Sequence, residues 1–154
     1  MPEPLVRVLL AHIDSVFEGP NGDYPAVLES IAGLTAQQAL WQPSPTSNSI
    51  WQIVDHLASS KKWQIEMMEK GQAESPVWIQ PTGDEQSLQA LIAHLKDTHR
   101  RQKLALEQLK DEELLQYPAP EIPRTLLELI LSSGSAHEAH HAGQISYLRG
   151  LQGA

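Results

Sequence analysis

The sequence predicts an all-α four-helix bundle with long connections, formed as one domain over residues 1–154. Three observations carry this. Four long segments repeat their apolar residues at the period of a helix. No stretch alternates apolar and polar residues for long enough to make a strand. Proline and glycine gather between the four segments, where connections belong.

Helix 1 is predicted over about residues 4–18, with Leu5, Val8, Leu9, Val16 and Phe17 on one side, and GPNGDYP ends it. Residues ~25–41 read as short helical turns: Pro25 suits a first helical position, Gly33 a stop, and Thr35 a cap for AQQAL. Helix 2 starts after Asn48 or Ser49, whose side chains accept unpaired backbone N–H groups, and runs to about Lys70 with Gly71 as its stop. Helix 3, ~85–110, is entered through Asp84. Helix 4, ~124–150, follows the proline-rich YPAPEIP and ends at Gly150. The connections are long enough to allow crossovers, so the sequence leaves the topology open.

Composition narrows the function. A chain of 154 residues, 41 % hydrophobic, supports one packed core. No apolar run approaches the ~20 residues of a membrane span. Asp14 and Glu18 interrupt the short apolar start, no small-residue cleavage site comes after it, and no signal peptide is expected. The net charge of −8 repels nucleic acid. Lys61-Lys62 and Arg100-Arg101-Gln102-Lys103 read as solvated helix faces. There are no cysteines, which removes disulfides, thiolate ligands and cysteine nucleophiles and fits a cytoplasmic protein.

The histidines stand out. On helix 4, Ile130, Gly134, His137, His141, Gln144, Leu148 and Leu151 form one stripe, with His137 and His141 a turn apart. Both imidazoles can meet one ion, and Gly134 leaves space a turn earlier. His140 lies roughly 80° from the middle of the stripe and His141 about 20°, which favours His141 as the ligand and puts His140 at the edge or in solvent. On helix 2, Ser49, Ile53, His56, Ser60, Trp63 and Met67 form a matching stripe, and Ile50, Val54, Leu57, Ile65 and Met68 a second. His56 can therefore face the helix 4 pair. One histidine on an apolar face is usually a bonded core residue, but three neutral imidazoles buried together would leave polar nitrogens unpaired. A divalent metal on His56, His137 and His141 removes that problem, and three ligands with an open position describe a catalytic type of site. Ser60, His99 and Gln144 are candidates to line the cavity or orient ligands. His99, on the stripe Leu88, Ile92, Leu95, Gln102, Leu106 and Leu109, fits a core role better. His12 is ambiguous, and His94 points to solvent. Asp55 and Glu138 adjoin ligands in sequence, but neighbours on a helix are ~100° apart, so either is a candidate to orient a histidine of another helix and neither is assigned as a base.

GLTAQQALWQPSP, SNSIWQIVDHLA and HEAHHAGQISYLRGL together resemble the DinB/YfiT-like superfamily over nearly the whole chain. The last is the most specific, joining His-x-x-x-His to Gly143-Gln144-Ile145. The resemblance implies metal binding by His56, His137 and His141, an ion such as Zn²⁺ or Ni²⁺, a bundle of unusual connectivity, and a homodimer. Its functional content is loose: it spans transferases and isomerases that use small thiols, and presumed hydrolases.

Two readings with a metal are open, beside a third in which the chain is a histidine-containing bundle without one. In the first, the chain is an enzyme in which the ion activates water or an external small thiol against a small-molecule substrate, as a hydrolase or a thiol transferase. In the second, it is a metal-binding or stress-related helical module without turnover. A ligand-sized pocket reaching the histidines separates them in favour of the enzyme.

Overall fold

The computed structural model describes residues 1–154 and is helical, with no strand. The four long segments are α1 (Pro4–Phe17), α4 (Ile50–Lys70), α5 (Glu85–Glu107) and a final helix in three parts. Those parts are α7 (Leu126–Leu129), a π-helical stretch (Ile130–Ala136) and α8 (His137–Leu151). Short helices α2 (Val27–Ser30), α3 (Ala36–Leu40) and α6 (Asp111–Leu114) fill the connections. No helix is long and apolar enough to cross a membrane.

The helix ends follow local chemistry. Ser49, not Asn48, caps α4: its Oγ accepts from the Gln52 N–H, and Gln52 Oε1 accepts from the Ser49 N–H. Gly71 closes the same helix at φ 68, a left-handed position that glycine adopts without penalty. Asp84 caps α5 by accepting from the Ser87 N–H, and Thr35 caps α3 through the Gln38 N–H. Three boundaries differ from those expected. Pro25 lies before Ala26, which stands at the N-cap position of α2, so it is outside the helix. Helix 3 stops at Glu107, and the acidic turn Asp111–Leu114 forms its own short helix, with the Asp111 carboxylate accepting from the Leu5 and Val6 N–H groups at the start of α1. The final helix begins at Leu126, capped by Thr125, and runs to Leu151.

α4 packs most extensively on α5 and also lies against α8 and the π stretch. α1 packs on α5 and on the final helix. α1 and α4, consecutive among the long helices, therefore occupy opposite corners, and the connection carrying α2 and α3 crosses the bundle between them. α2 lies against α8.

The interior has two apolar clusters. One gathers Phe17, Ile31, Ile50, Val54, Leu57, Leu88, Leu95 and Ile145 with their neighbours. The other gathers Val6, Leu9, Ile13, Leu106, Leu114 and Ile130. Val8, expected on the buried face of helix 1, is 65 % exposed, and Val6 and Ile13 take its place. Between the clusters lies a layer of buried polar side chains: Lys61, Gln64, His99, Gln102 and Glu138.

Candidate metal centre

α4 and α8 bring His56, His137 and His141 together. Their ligand-type nitrogens all lie within 4.8 Å of one another. His137 Nε2 is 3.1 Å from His56 Nε2 and 2.9 Å from His141 Nε2. His141 Nδ1 is 2.6 Å from Gln144 Oε1, a carbonyl oxygen that only accepts. Nδ1 of His141 therefore carries the proton, and its Nε2 turns a lone pair toward the other two rings.

The protonation tendencies agree. Burial, then the nearby imidazoles, pulls His137 down to about 4. Burial pulls His141 down to about 4 against the upward push of its bond to Gln144. Burial lowers His56 as well. Three neutral rings facing one point are a poor hydrogen-bonding set: His137 Nε2 meets both other Nε2 atoms and has at most one proton or one lone pair to offer them. They are a good donor set for a cation. A tetrahedral ion with Zn–N bonds of ~2.0–2.1 Å needs nitrogens roughly 3.3 Å apart, close to the spacing already present. The group could therefore bind a divalent metal.

His56 and His137 face a cavity of about 370 Å³, lined also by Ser60, Trp63, Ser75, Pro76, Arg124, Ser132 and Ser133. His141 is buried behind them. Trp78, from the loop after α4, stacks on the His56 ring at 4.1 Å and 12° and borders His141. A larger cleft of about 570 Å³ adjoins this one across Trp63, Ser75 and Pro76, but it holds no histidine and mixes Lys62 and Lys70 with Glu66 and Glu74. The smaller cavity is the one that meets the chemistry.

Among the other expected residues, Ser60 lines the cavity and Gln144 orients His141, although Gln144 itself is exposed. His140 is exposed and outside the ligand group, with its ring 5.2 Å from that of His141. His94 is exposed, and His12 is half-buried on α1. Three expectations are corrected. The buried side of α8 is formed by Glu138, His141, Ala142, Ile145 and Leu148, so Gln144 and Leu151 do not belong to the seam. The π stretch accounts for the turn: a widened turn inserts a residue and rotates the helix beyond it by up to ~100°. The space at Gly134 belongs not to the histidines but to Gln64, whose Oε1 would lie 2.6 Å from an added Cβ. Lys61 is not on a solvated face but is fully buried, while Lys62 is exposed.

Lys61 organises the polar layer. Its ammonium pairs with Glu138, donates to Gln102 Oε1 at 2.9 Å and lies 3.0 Å from His99 Nδ1. It also sits over the Phe17 ring, on which His99 stacks. Gln102 in turn donates to Gln64 Oε1 at 2.7 Å. With an ammonium donating to its Nδ1, His99 carries its proton on Nε2 and donates to Asp14 Oδ1 at 2.9 Å, while Lys103 holds Asp14 Oδ2 at 2.7 Å. Burial and the charge of Lys61 pull His99 down to about 4 against Asp14. His99 is thus a bonded core residue, away from the metal-type cavity. Asp14, Glu18 and His99 also bring ligand-type atoms together, but Lys61 and Lys103 already supply the cations there.

The sequence rhythm held a signal for Lys61. The second stripe of α4 steps from Leu57 to Ile65, and Lys61 stands in that gap. Trp78 and Arg124 lie in irregular connections, where periodicity carries no information.

The sequence matches the DinB superfamily over residues 23–145, and the chain belongs to that superfamily. No match was found among curated proteins or among solved structures.

Proposed function

We propose that this DinB-superfamily chain is a metal-dependent enzyme acting on a small-molecule substrate, as a hydrolase or a thiol transferase. The observation that carries the reading is the convergence of three imidazole nitrogens beside an open cavity of about 370 Å³. That volume falls in the ~300–1,000 Å³ range of small-molecule sites, whereas a purely structural metal site is closed. The access favours the enzyme over a metal-binding module without turnover.

His56, His137 and His141 would hold the ion, Zn²⁺ or Ni²⁺, through Nε2. A divalent ion there supplies a nucleophile at neutral pH by lowering the pKa of water or of a small thiol. The chain has no cysteine, so a thiol would come from outside. The protein's own part is positional. Gln144 fixes the tautomer of His141. Trp78 covers one face of His56, and Ser60 and Trp63 wall the cavity.

Metal analysis of protein purified without a histidine tag tests the reading. One equivalent of ion is expected, with the affinity lowered sharply by His56→Ala, His137→Ala or His141→Ala and little by His140→Ala. Loss of binding in His140→Ala with retention in His141→Ala would overturn the assignment. Turnover surviving verified metal removal would overturn the reaction class. As partners, we propose a second copy of the chain and no nucleic acid, in keeping with the −8 charge. A strict monomer in light scattering at high concentration, or tight duplex binding at physiological salt, would count against these.

A further inference from the structure

Arg124 lines the same cavity as His56 and His137. It is exposed, and its guanidinium donates from Nη1 to Ser132 Oγ at 2.8 Å. Ser132 donates onward to the Glu128 carbonyl at 2.7 Å, so the hydroxyl holds the guanidinium in place. None of the molecule's four ion pairs includes Arg124. Glu128 is close enough to feel its charge, but the Glu128 carboxylate is taken up by the Thr125 N–H and hydroxyl. The remaining lining is Ser60, Trp63, Ser75, Pro76 and Ser133 with the two histidines, and it contains no carboxylate. A protein of net charge −8 has thus kept a cavity whose only formal charge is one unpaired arginine. The π stretch contributes Ser132 and Ser133 to the same wall, and Ser132 spends its own proton on the Glu128 carbonyl while its oxygen holds the guanidinium.

We propose that the cavity selects a small carboxylate-bearing substrate, anchored on Arg124 with its reacting end toward His56 and His137. The inference rests on the enzyme reading of the site. A guanidinium presents parallel N–H donors that match the two oxygens of a carboxylate. One arginine balances one negative charge, which suits a carboxylate better than a phosphate dianion. Uncharged electrophiles of the same size gain nothing from Arg124 and bind less well.

A matched pair of probes tests this: 3-mercaptopropionate and the uncharged 3-mercaptopropionamide. Each is titrated by calorimetry onto the zinc-loaded protein and its Arg124→Gln and Arg124→Lys variants. The acid should bind wild type about tenfold more tightly than the amide at low salt, and less so at high salt. Arg124→Gln should lose that tenfold on the acid and leave the amide unchanged, and Arg124→Lys should recover part of it. Thermal melts should coincide, because Arg124 is exposed and makes one side-chain bond. Equal binding of acid and amide by wild type, or equal losses for both probes in Arg124→Gln, would overturn the anchor. If the protein takes up no zinc, it is the enzyme reading that fails. The anchor is then read on the metal-free chain from the Ser132 and Ser133 amide resonances: a preference for the acid that Arg124→Gln removes sustains it, and no preference overturns it.

Discussion

Lys61 and Glu138 form an ion pair with both side chains out of solvent. Burying two charges costs several kcal/mol apiece, and the cost is offset only if the remaining donors and acceptors are met. The Lys61 ammonium finds Glu138, His99 and Gln102. Glu138 Oε2 has no partner. Removing one member of the pair strands the other, so Lys61→Met or Glu138→Gln should each destabilise the fold by ~3–5 kcal/mol in urea denaturation. Lys61→Met with Glu138→Gln should cost less than the sum of the singles by more than ~1 kcal/mol. Strict additivity would show that the two do not act as a pair. His99 gives a pH dependence in the same layer. Its pKa falls from the ordinary 6.5 to about 4 in the fold, so the unfolded chain takes up a proton at higher pH than the folded one. Its contribution to stability is complete above pH 6.5 and is lost as the pH falls toward 4. Imidazole NMR of His99 should show a midpoint near 4, and His99→Gln should lessen the fall of the urea midpoint between pH 6.5 and 4, leaving the share that His137 and His141 contribute. A His99 titration near 6.5 would contradict the buried geometry.

The final helix shows what its sequence could and could not convey. Ser-Ser-Gly-Ser at 132–135 joins weak helix formers, and the chain widens there into a π turn. Both ends of α4 and the start of α5 were legible almost to the residue because Ser49, Gly71 and Asp84 mark them with side-chain and backbone chemistry, whereas nothing of that kind marks the end of α5 at Glu107. The histidine site was legible because His137 and His141 both lie within α8, where regular spacing holds. The buried side of that helix was not, because regular spacing was carried through a turn that is not α-helical. Lys61 and Glu138 escaped for another reason: a charged residue reads as solvated until its partner is seen on another helix. Gly134 ties the π stretch to the polar layer. Gln64 Oε1 occupies the space a Cβ would need, and Gln64 is held by Gln102 at 2.7 Å. Alanine favours a helix over glycine by ~1 kcal/mol. Gly134→Ala should nevertheless destabilise by about 1–2 kcal/mol, because Gln64 must leave a buried hydrogen bond. A stabilised variant in thermal melts would mean that Gln64 moves aside freely.

On the scale of the whole molecule, the three histidines join α4 to α8, two helices far apart in sequence that meet only in the folded chain. An ion held there binds the folded state and not the open chain, so its binding free energy adds to stability. At an ion concentration about 100 times its dissociation constant the gain is ~2.7 kcal/mol. For a chain of 154 residues, each kcal/mol moves the melting temperature by about 2–4 °C. Zinc should therefore raise the melting temperature by roughly 5–10 °C, and a chelator should reverse the rise. The metal-free protein sharpens the test. Without an ion, the Nε2 atoms of the three histidines crowd one another, at 3.1 Å between His56 and His137 and 2.9 Å between His137 and His141. His137→Ala should abolish the zinc-dependent rise while costing the metal-free protein much less than a core deletion would, since it relieves an unfavourable contact as it removes packing. His140→Ala should keep the full rise. A His137→Ala protein that melts higher with zinc by the wild-type amount would place the ion elsewhere, and the three-histidine centre would fall with it.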